Sequence, residues 1–182
     1  MKKLFAFLVF TGLLLTLSQA LSAQDETAGK LFYTELGGPG VIMSANFDAR
    51  FNPNTRLGFG YRLGVGFGIG EFENQQTTGN YYSYNRVTRT YYSIPVGLNY
   101  VFGKPNIAST FEVGAGATFL TRKVSLYNYE AKQPGHVIGF VSFMYRLTPI
   151  NGGISFRVGF TPIIGTAGDV FPMAAIGIGY AF

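Results

Sequence analysis

The sequence predicts an all-β fold, an eight-stranded antiparallel up-and-down transmembrane barrel behind a signal peptide. Three observations lead there. From Leu57 to Ile69 every second residue is large and apolar, and every residue between is glycine except Arg62. A period of two marks a strand. Glycine weakens a strand by about 0.5–1 kcal/mol relative to alanine, so its repetition on one face needs a cause. A narrow closed barrel supplies one: its interior has no room for larger side chains while its outside meets lipid. The face with Leu57, Phe59, Tyr61, Leu63, Val65, Phe67 and Ile69 is then the outer one. Second, charge is missing from one face of the other strands as well. Third, no helix-length apolar segment follows the leader, and lipid then leaves only a closed barrel, in which every backbone polar group has a partner.

The chain of 182 residues suffices for one domain. Met1-Lys2-Lys3, the apolar run Leu4 to Leu17 and the small residues within Ser18 to Ala23 read as a secretory signal peptide cleaved after Ala23. That run is shorter than the roughly 18 residues a spanning helix needs. Residues 1–23 are thus the leader and 24–182 the barrel domain. Losing Lys2 and Lys3 takes Lys and Arg from 14 to 12, against 9 Asp and Glu. These charges are scattered, so no nucleic-acid footprint exists. The absence of cysteine excludes disulfides, thiolate metal sites and a lipoprotein anchor.

After a polar stub, Gln24 to Gly29, strands are expected at 31–37, 41–51, 56–69, 89–102, 108–120, 137–147, 153–163 and 173–182. Most are near the 9–11 residues of a tilted membrane strand. Asn52-Pro53-Asn54-Thr55, Gly103-Lys104-Pro105-Asn106 and Thr148-Pro149-Ile150-Asn151-Gly152 read as tight turns. The longer polar segments Glu71 to Thr88, Arg122 to His136 and Ile164 to Pro172 lie between them. Short and long connections alternate as in bacterial outer-membrane barrels, with short turns toward the periplasm. Gly38-Pro39-Gly40 belongs with the long set by position but is short. An even strand count puts both termini at the periplasmic end.

The outward sets are Val41/Met43/Ala45/Phe47/Ala49/Phe51, Tyr92/Ile94/Val96/Leu98/Tyr100/Phe102, Phe111/Val113/Ala115/Ala117/Phe119, Val141/Phe143/Tyr145/Leu147, Ile154/Phe156/Val158/Phe160 and Ala174/Ile176/Ile178/Tyr180/Phe182. None carries a charge, as expected where Arg or Lys at the bilayer midplane costs about 2–4 kcal/mol. The inward sets hold Glu35, Asp48, Arg50, Arg62, Glu112, Arg146 and Arg157. Buried charges must be paired, and eight-stranded interiors are filled by side chains, so these seven are expected to form a salt-bridged plug. Outward aromatics fall into two girdles. One contains Phe51, Phe59, Tyr100, Phe102, Phe111, Tyr145, Phe156, Tyr180 and Phe182; the other contains Phe67, Tyr92, Phe119 and Phe160.

No catalytic, cofactor or metal site is expected. His136 is the one histidine, with Ser125 and Glu130 in its loop. A triad needs hydrogen-bond reach between nucleophile and base, which spacing alone does not supply, and one histidine is too few for a histidine-rich metal site. The glycine repeats lack the Gly-Lys-Ser/Thr and following helix of a phosphate loop. Tyr81, Tyr82, Tyr84, Asn80, Asn85 and Ser83 have the composition of a binding loop. The same stretch reads equally as a hairpin continuing strands three and four above the membrane.

Two further pieces carry a resemblance. Pro172 to Phe182 ends on an aromatic, with Ile176, Ile178 and Tyr180 at alternate positions, and Tyr92-Ser93-Ile94-Pro95-Val96-Gly97-Leu98-Asn99-Tyr100 is an Ile-Pro strand. With these, residues 30–182 resemble the small outer-membrane barrels of the OmpX and OmpA transmembrane type. The resemblance implies that Ile176, Ile178, Tyr180 and Phe182 are the signal read by the barrel insertion machinery. It implies a Gram-negative outer membrane and contact with its lipid and lipopolysaccharide. A barrel alone is expected, with no peptidoglycan-binding domain after Phe182. The resemblance also extends to small barrel enzymes that act on lipid A with a Ser, a His and an acid. The expected role is structural and interactive, with a surface ligand at loops 71–88 and 121–136. A narrow pore for ions or small solutes is the alternative, and a lipid-modifying enzyme stands behind it. A lipocalin-like soluble barrel would need the opposite faces, apolar within and polar without.

Overall fold

A computed structural model describes residues 28–78, 81–124, 135–165 and 168–182. The leader 1–23 therefore lies outside the described residues. The strands are β1 (Lys30–Gly37), β2 (Met43–Arg50), β3 (Gly58–Thr78), β4 (Tyr81–Gly103), β5 (Ser109–Val124), β6 (Gly135–Leu147), β7 (Gly153–Phe160), β8 (Ile163–Ile164), β9 (Val170–Phe171) and β10 (Ala174–Ala181). From β1 through β7 consecutive strands pair antiparallel, β7 also pairs with β10, and β1 pairs with β10 from Leu31↔Ala181 to Gly37↔Ala175. That seam closes the sheet into a barrel of eight staves.

The eight staves hold ten strands because prolines interrupt two of them. β6 pairs with β7 as Phe143↔Phe160 and with β8 as Phe140↔Ile163, one unbroken register. Between them Pro162 donates nothing, but its carbonyl accepts from Val141 at 3.0 Å. β7–β10 (Phe160↔Ala174) and β8–β9 (Ile163↔Phe171) also share one register, joined by Thr161 N to Met173 O at 2.6 Å. The ladder therefore enters the expected loop Ile164 to Pro172 from both sides, through Ile164↔Val170. Proline is ordinarily confined to sheet edges. A closed barrel has none, so each proline here costs one bond and shifts nothing.

The expected faces are realised except at Val41 and at Ala49, which is assigned outward but is buried. Large apolar residues from Phe32 to Phe182 are exposed around the wall, while all seven inward charges are buried. Phe59, Tyr100, Phe102, Phe111 and Tyr145 touch ring to ring across β3–β6, at centroid distances of 4.7, 6.4, 5.9 and 5.6 Å. Phe51 and Phe47 pack on Tyr61 beside them. This belt circles the end where the short turns and both described termini lie, called the turn end below; the opposite end is the hairpin end.

Three expectations change. β3 and β4 remain paired to Thr78↔Tyr81, so Glu71 to Thr88 is a hairpin ladder and not a loop. β5 and β6 likewise extend to Val124↔Gly135, past a register shift. Val41, assigned outward, is half-buried against an inner apolar cluster. Its φ of 78° and ψ of −74° make a strained γ-turn, because the connection before it folds into the barrel mouth. Gly38, Pro39 and Gly40 form a buried 3-10 turn.

The inward glycines are slots. A Cβ on Gly68 would stand 2.2 Å from the ring of Tyr91, its direct partner across the ladder. Gly68→Ala should therefore lower the melting temperature strongly by displacing Tyr91, but only weakly in a Tyr91→Ala background. A heat-modifiability gel series on the double-mutant cycle measures that coupling, and additive effects would refute the slot. On the opposite face, Val65→Arg should destabilise the barrel in lipid vesicles by about 2–4 kcal/mol, read from urea unfolding midpoints.

Candidate functional site

The strand period turns seven scattered charges inward, and the glycines opposite make room for their length. They meet in one cluster. Asp48 Oδ1 takes Arg50 Nη2 at 2.5 Å and Arg146 Nη2 at 3.3 Å. Glu112 takes Arg146 Nη1 at 2.8 Å on one oxygen and Arg157 Nη2 at 3.0 Å on the other. Glu35 lies 3.2 Å from Arg157 Nε and 3.5 Å from Arg62 Nη1. Each carboxylate thus serves two guanidiniums. The pairs join β1, β2 and β3 to β5, β6 and β7, across the lumen.

The cluster is graded along the barrel axis. At the bottom, Asn99 donates to Asp48 and accepts from Arg50 at 2.6 Å. At mid-height, Tyr33 sits under Arg157, whose Cζ is 4.2 Å from the ring centroid, and its hydroxyl accepts from Arg62 at 3.1 Å. Arg62 also reaches Ser142 Oγ at 3.3 Å and lies 5.2 Å over the Phe140 ring. Glu35 is the uppermost charge. Its oxygens have ion-pair contacts but no hydrogen bond of good geometry, and the inward turn at Gly38 lies directly above it. That turn is pinned to the far wall, where Thr118 donates to Pro39 O at 2.8 Å and Ser93 donates to Gly40 O at 3.0 Å. Above it lies the apolar cluster of Tyr91, Leu120, Ile138 and Ile163, joined by Val41, Phe171 and Met173.

Strand parity located the charges but missed three participants. Tyr33 and Asn99 are uncharged, though both fall on the inward parity. Arg56 opens the expected strand 56–69 without being counted among the inward charges, and the structure places it in the turn before β3. It is 6 % exposed and donates only to carbonyls, those of Thr148 at 2.9 Å, Pro105 at 2.9 Å, Lys104 at 3.2 Å, Ala108 at 3.5 Å and Ile107. It thereby ties the turns after β4 and β6 to its own.

The remaining candidates lie apart from the cluster. His136 is exposed on β6, with its Nδ1 3.0 Å from Leu120 O. Ser125 and Glu130 lie outside the described residues, as does Asn80. Ile176 and Ile178 are exposed on the outer face, Tyr180 is half-buried, and Phe182 closes the ladder onto Lys30, exchanging backbone bonds of 3.0 and 2.9 Å. None of the four touches the lumen cluster.

No family model matches the chain, and no curated protein matches it by sequence. Among solved structures it is similar to the N-terminal β-barrel domain of Pseudomonas aeruginosa OprF, with a TM-score of 0.51 at 12% identity, over 86% of this chain and 100% of that one. At that identity the likeness is one of fold. Together with the closed ladder, it shows the fold of a small eight-stranded antiparallel β-barrel, here with its apolar side chains outward.

Proposed function

We propose that the protein is a non-catalytic barrel of a Gram-negative outer membrane, closed along its lumen, with a structural and interactive role. The ion-paired cluster carries this reading. Asp48, Glu112 and Glu35 bind guanidiniums from opposite walls and leave Arg62 and Arg157 2 % exposed. The pinned turn at Gly38–Gly40 and the apolar layer above it support closure at the other end. In this reading the turn end faces the periplasm. The outer wall seats in lipid and lipopolysaccharide, and Ile176, Ile178, Tyr180 and Phe182 form the signal for the insertion machinery.

The interactive part rests on the hairpin end. β2 accompanies β3 only to Phe67, and β5 accompanies β4 only to Ser93. Beyond those points the β3–β4 ladder continues to Thr78↔Tyr81 with no further strand pairing among the described residues. Such edges accept an added strand. Segment 71–88 is thus the proposed partner surface, together with 121–136.

A narrow pore is the second reading. It is favoured by the cluster's composition, in which four arginines meet three carboxylates. Glu112→Ala separates the two. It strands Arg146 and Arg157 together, so a closed, ion-paired lumen should lose about 3–5 kcal/mol with little change in planar-bilayer conductance. An unchanged melting point on heat-modifiability gels would count against closure. Ser93→Ala combined with Thr118→Val releases the inward turn from the far wall. If that turn seals the barrel, discrete conductance steps should appear in this variant and be missing from the parent. Steady conductance in the parent would favour the pore.

A further inference from the structure

We propose that the turn end of the lumen binds a monatomic anion of the halide class. A cavity of about 10 Å³ lies there, with Lys30, Asp48, Arg50, Arg56, Thr110 and Arg146 among its walls. It offers room for one water-sized occupant. Its charge balance is one-sided. Arg50 and Arg146 share Asp48, and the only other acid near Arg146 is Glu112, which also serves Arg157. Arg56 is a further guanidinium, and among the described residues no carboxylate pairs with it. Its Nε–H is buried without an acceptor.

An uncompensated charge away from water is strongly unfavourable. The barrel wall brings five guanidiniums against three carboxylates, and the excess is concentrated where the cavity lies. A water molecule could accept from Arg56 Nε but would leave the excess charge in place. A small anion does both. Size narrows the choice among anions, since sulfate, phosphate and organic carboxylates far exceed one water-sized space and a single-atom anion comes nearest to it. The Thr110 hydroxyl on the wall adds a neutral donor suited to a halide.

Bromide provides the probe. Crystals of the full barrel grown in sodium bromide should show an anomalous peak in this cavity within hydrogen-bond reach of Arg56, Arg50 or Arg146. Water-like density without anomalous signal would overturn the proposal. In detergent, the melting temperature should rise to a plateau with chloride or bromide, against sodium gluconate at equal ionic strength. Coincident curves would also overturn it. Thr110→Asp builds a carboxylate into the cavity wall and should abolish both the peak and the halide-dependent rise. A halide effect persisting in that variant would show that the charge excess is not what recruits the ion. Should the variant fail to fold, the two measurements on the parent protein still decide.

Discussion

Every inward side chain in this barrel competes for a space only one or two side chains across. A large group on one strand can lie inside only where another strand presents no Cβ. The contacts state the rule residue by residue. Added Cβ atoms would strike Arg50 from Gly60, Asn46 from Gly64, Phe140 from Gly97 and Gly116, Arg157 from Gly177 and Tyr33 from Gly179. The glycines of β3, β4, β5 and β10 are therefore the complement of the charged and aromatic groups that fill the lumen. The penalty each imposes on its strand is a condition of having Arg62 and Arg157 inside.

Why arginines occupy that space follows from their reach and planar donors. A guanidinium spans the lumen and offers donors in a fixed fork, so one carboxylate can receive two arginines and one arginine can meet two carboxylates. Arg146 bridges Asp48 of β2 and Glu112 of β5, and Arg157 bridges Glu112 and Glu35 of β1. Against a well-packed apolar core such pairs are close to neutral in stability. Their stronger effect is on register. A slip of one residue along any stave would turn its charges into lipid and its apolar row inward. A closed ladder of eight staves has many such slips available, and the cluster penalises each of them.

The parts legible in the sequence are those governed by period alone. Alternation from Leu57 to Ile69 assigned both faces of β3, and the same parity placed all seven charges inside. Parity names a face and not a partner, so nothing in the spacing tied Glu112 to Arg146 and Arg157 or brought Asn99 to Asp48. Turns have no parity. Arg56 opens the expected strand 56–69 but is not counted among the inward charges, and its place in a turn is clear only because β3 starts at Gly58. The inward direction of Gly38-Pro39-Gly40 was illegible because it depends on hydroxyls of Ser93 and Thr118 about fifty and eighty residues away. Val41 was misassigned with it, because its strand begins two residues later. Pro162 falls inside the expected strand 153–163 and Pro172 at the end of an expected loop; both interrupt strands, yet the registers on either side agree. A missing donor breaks one bond, and neighbouring ladders hold the rest.

The two ends of the barrel are built on opposite terms. At the turn end Arg56 gathers carbonyls from separate turns, Ala28 N bonds Ile150 O at 3.2 Å, and Lys30 and Phe182 exchange backbone bonds. The backbone there is tied across separate turns. At the hairpin end β3 and β4 outrun both neighbours, which leaves open edges of the kind proteins ordinarily blunt. The sequence of this ribbon carries Glu71, Glu73, Arg86 and Arg89 among its tyrosines, and the register sets Glu73 opposite Arg86. Charged residue types on a free edge oppose indiscriminate strand addition, so the stretch that outruns its neighbours also carries the residues that guard an edge. The ion-paired lumen below is the base from which this ribbon extends.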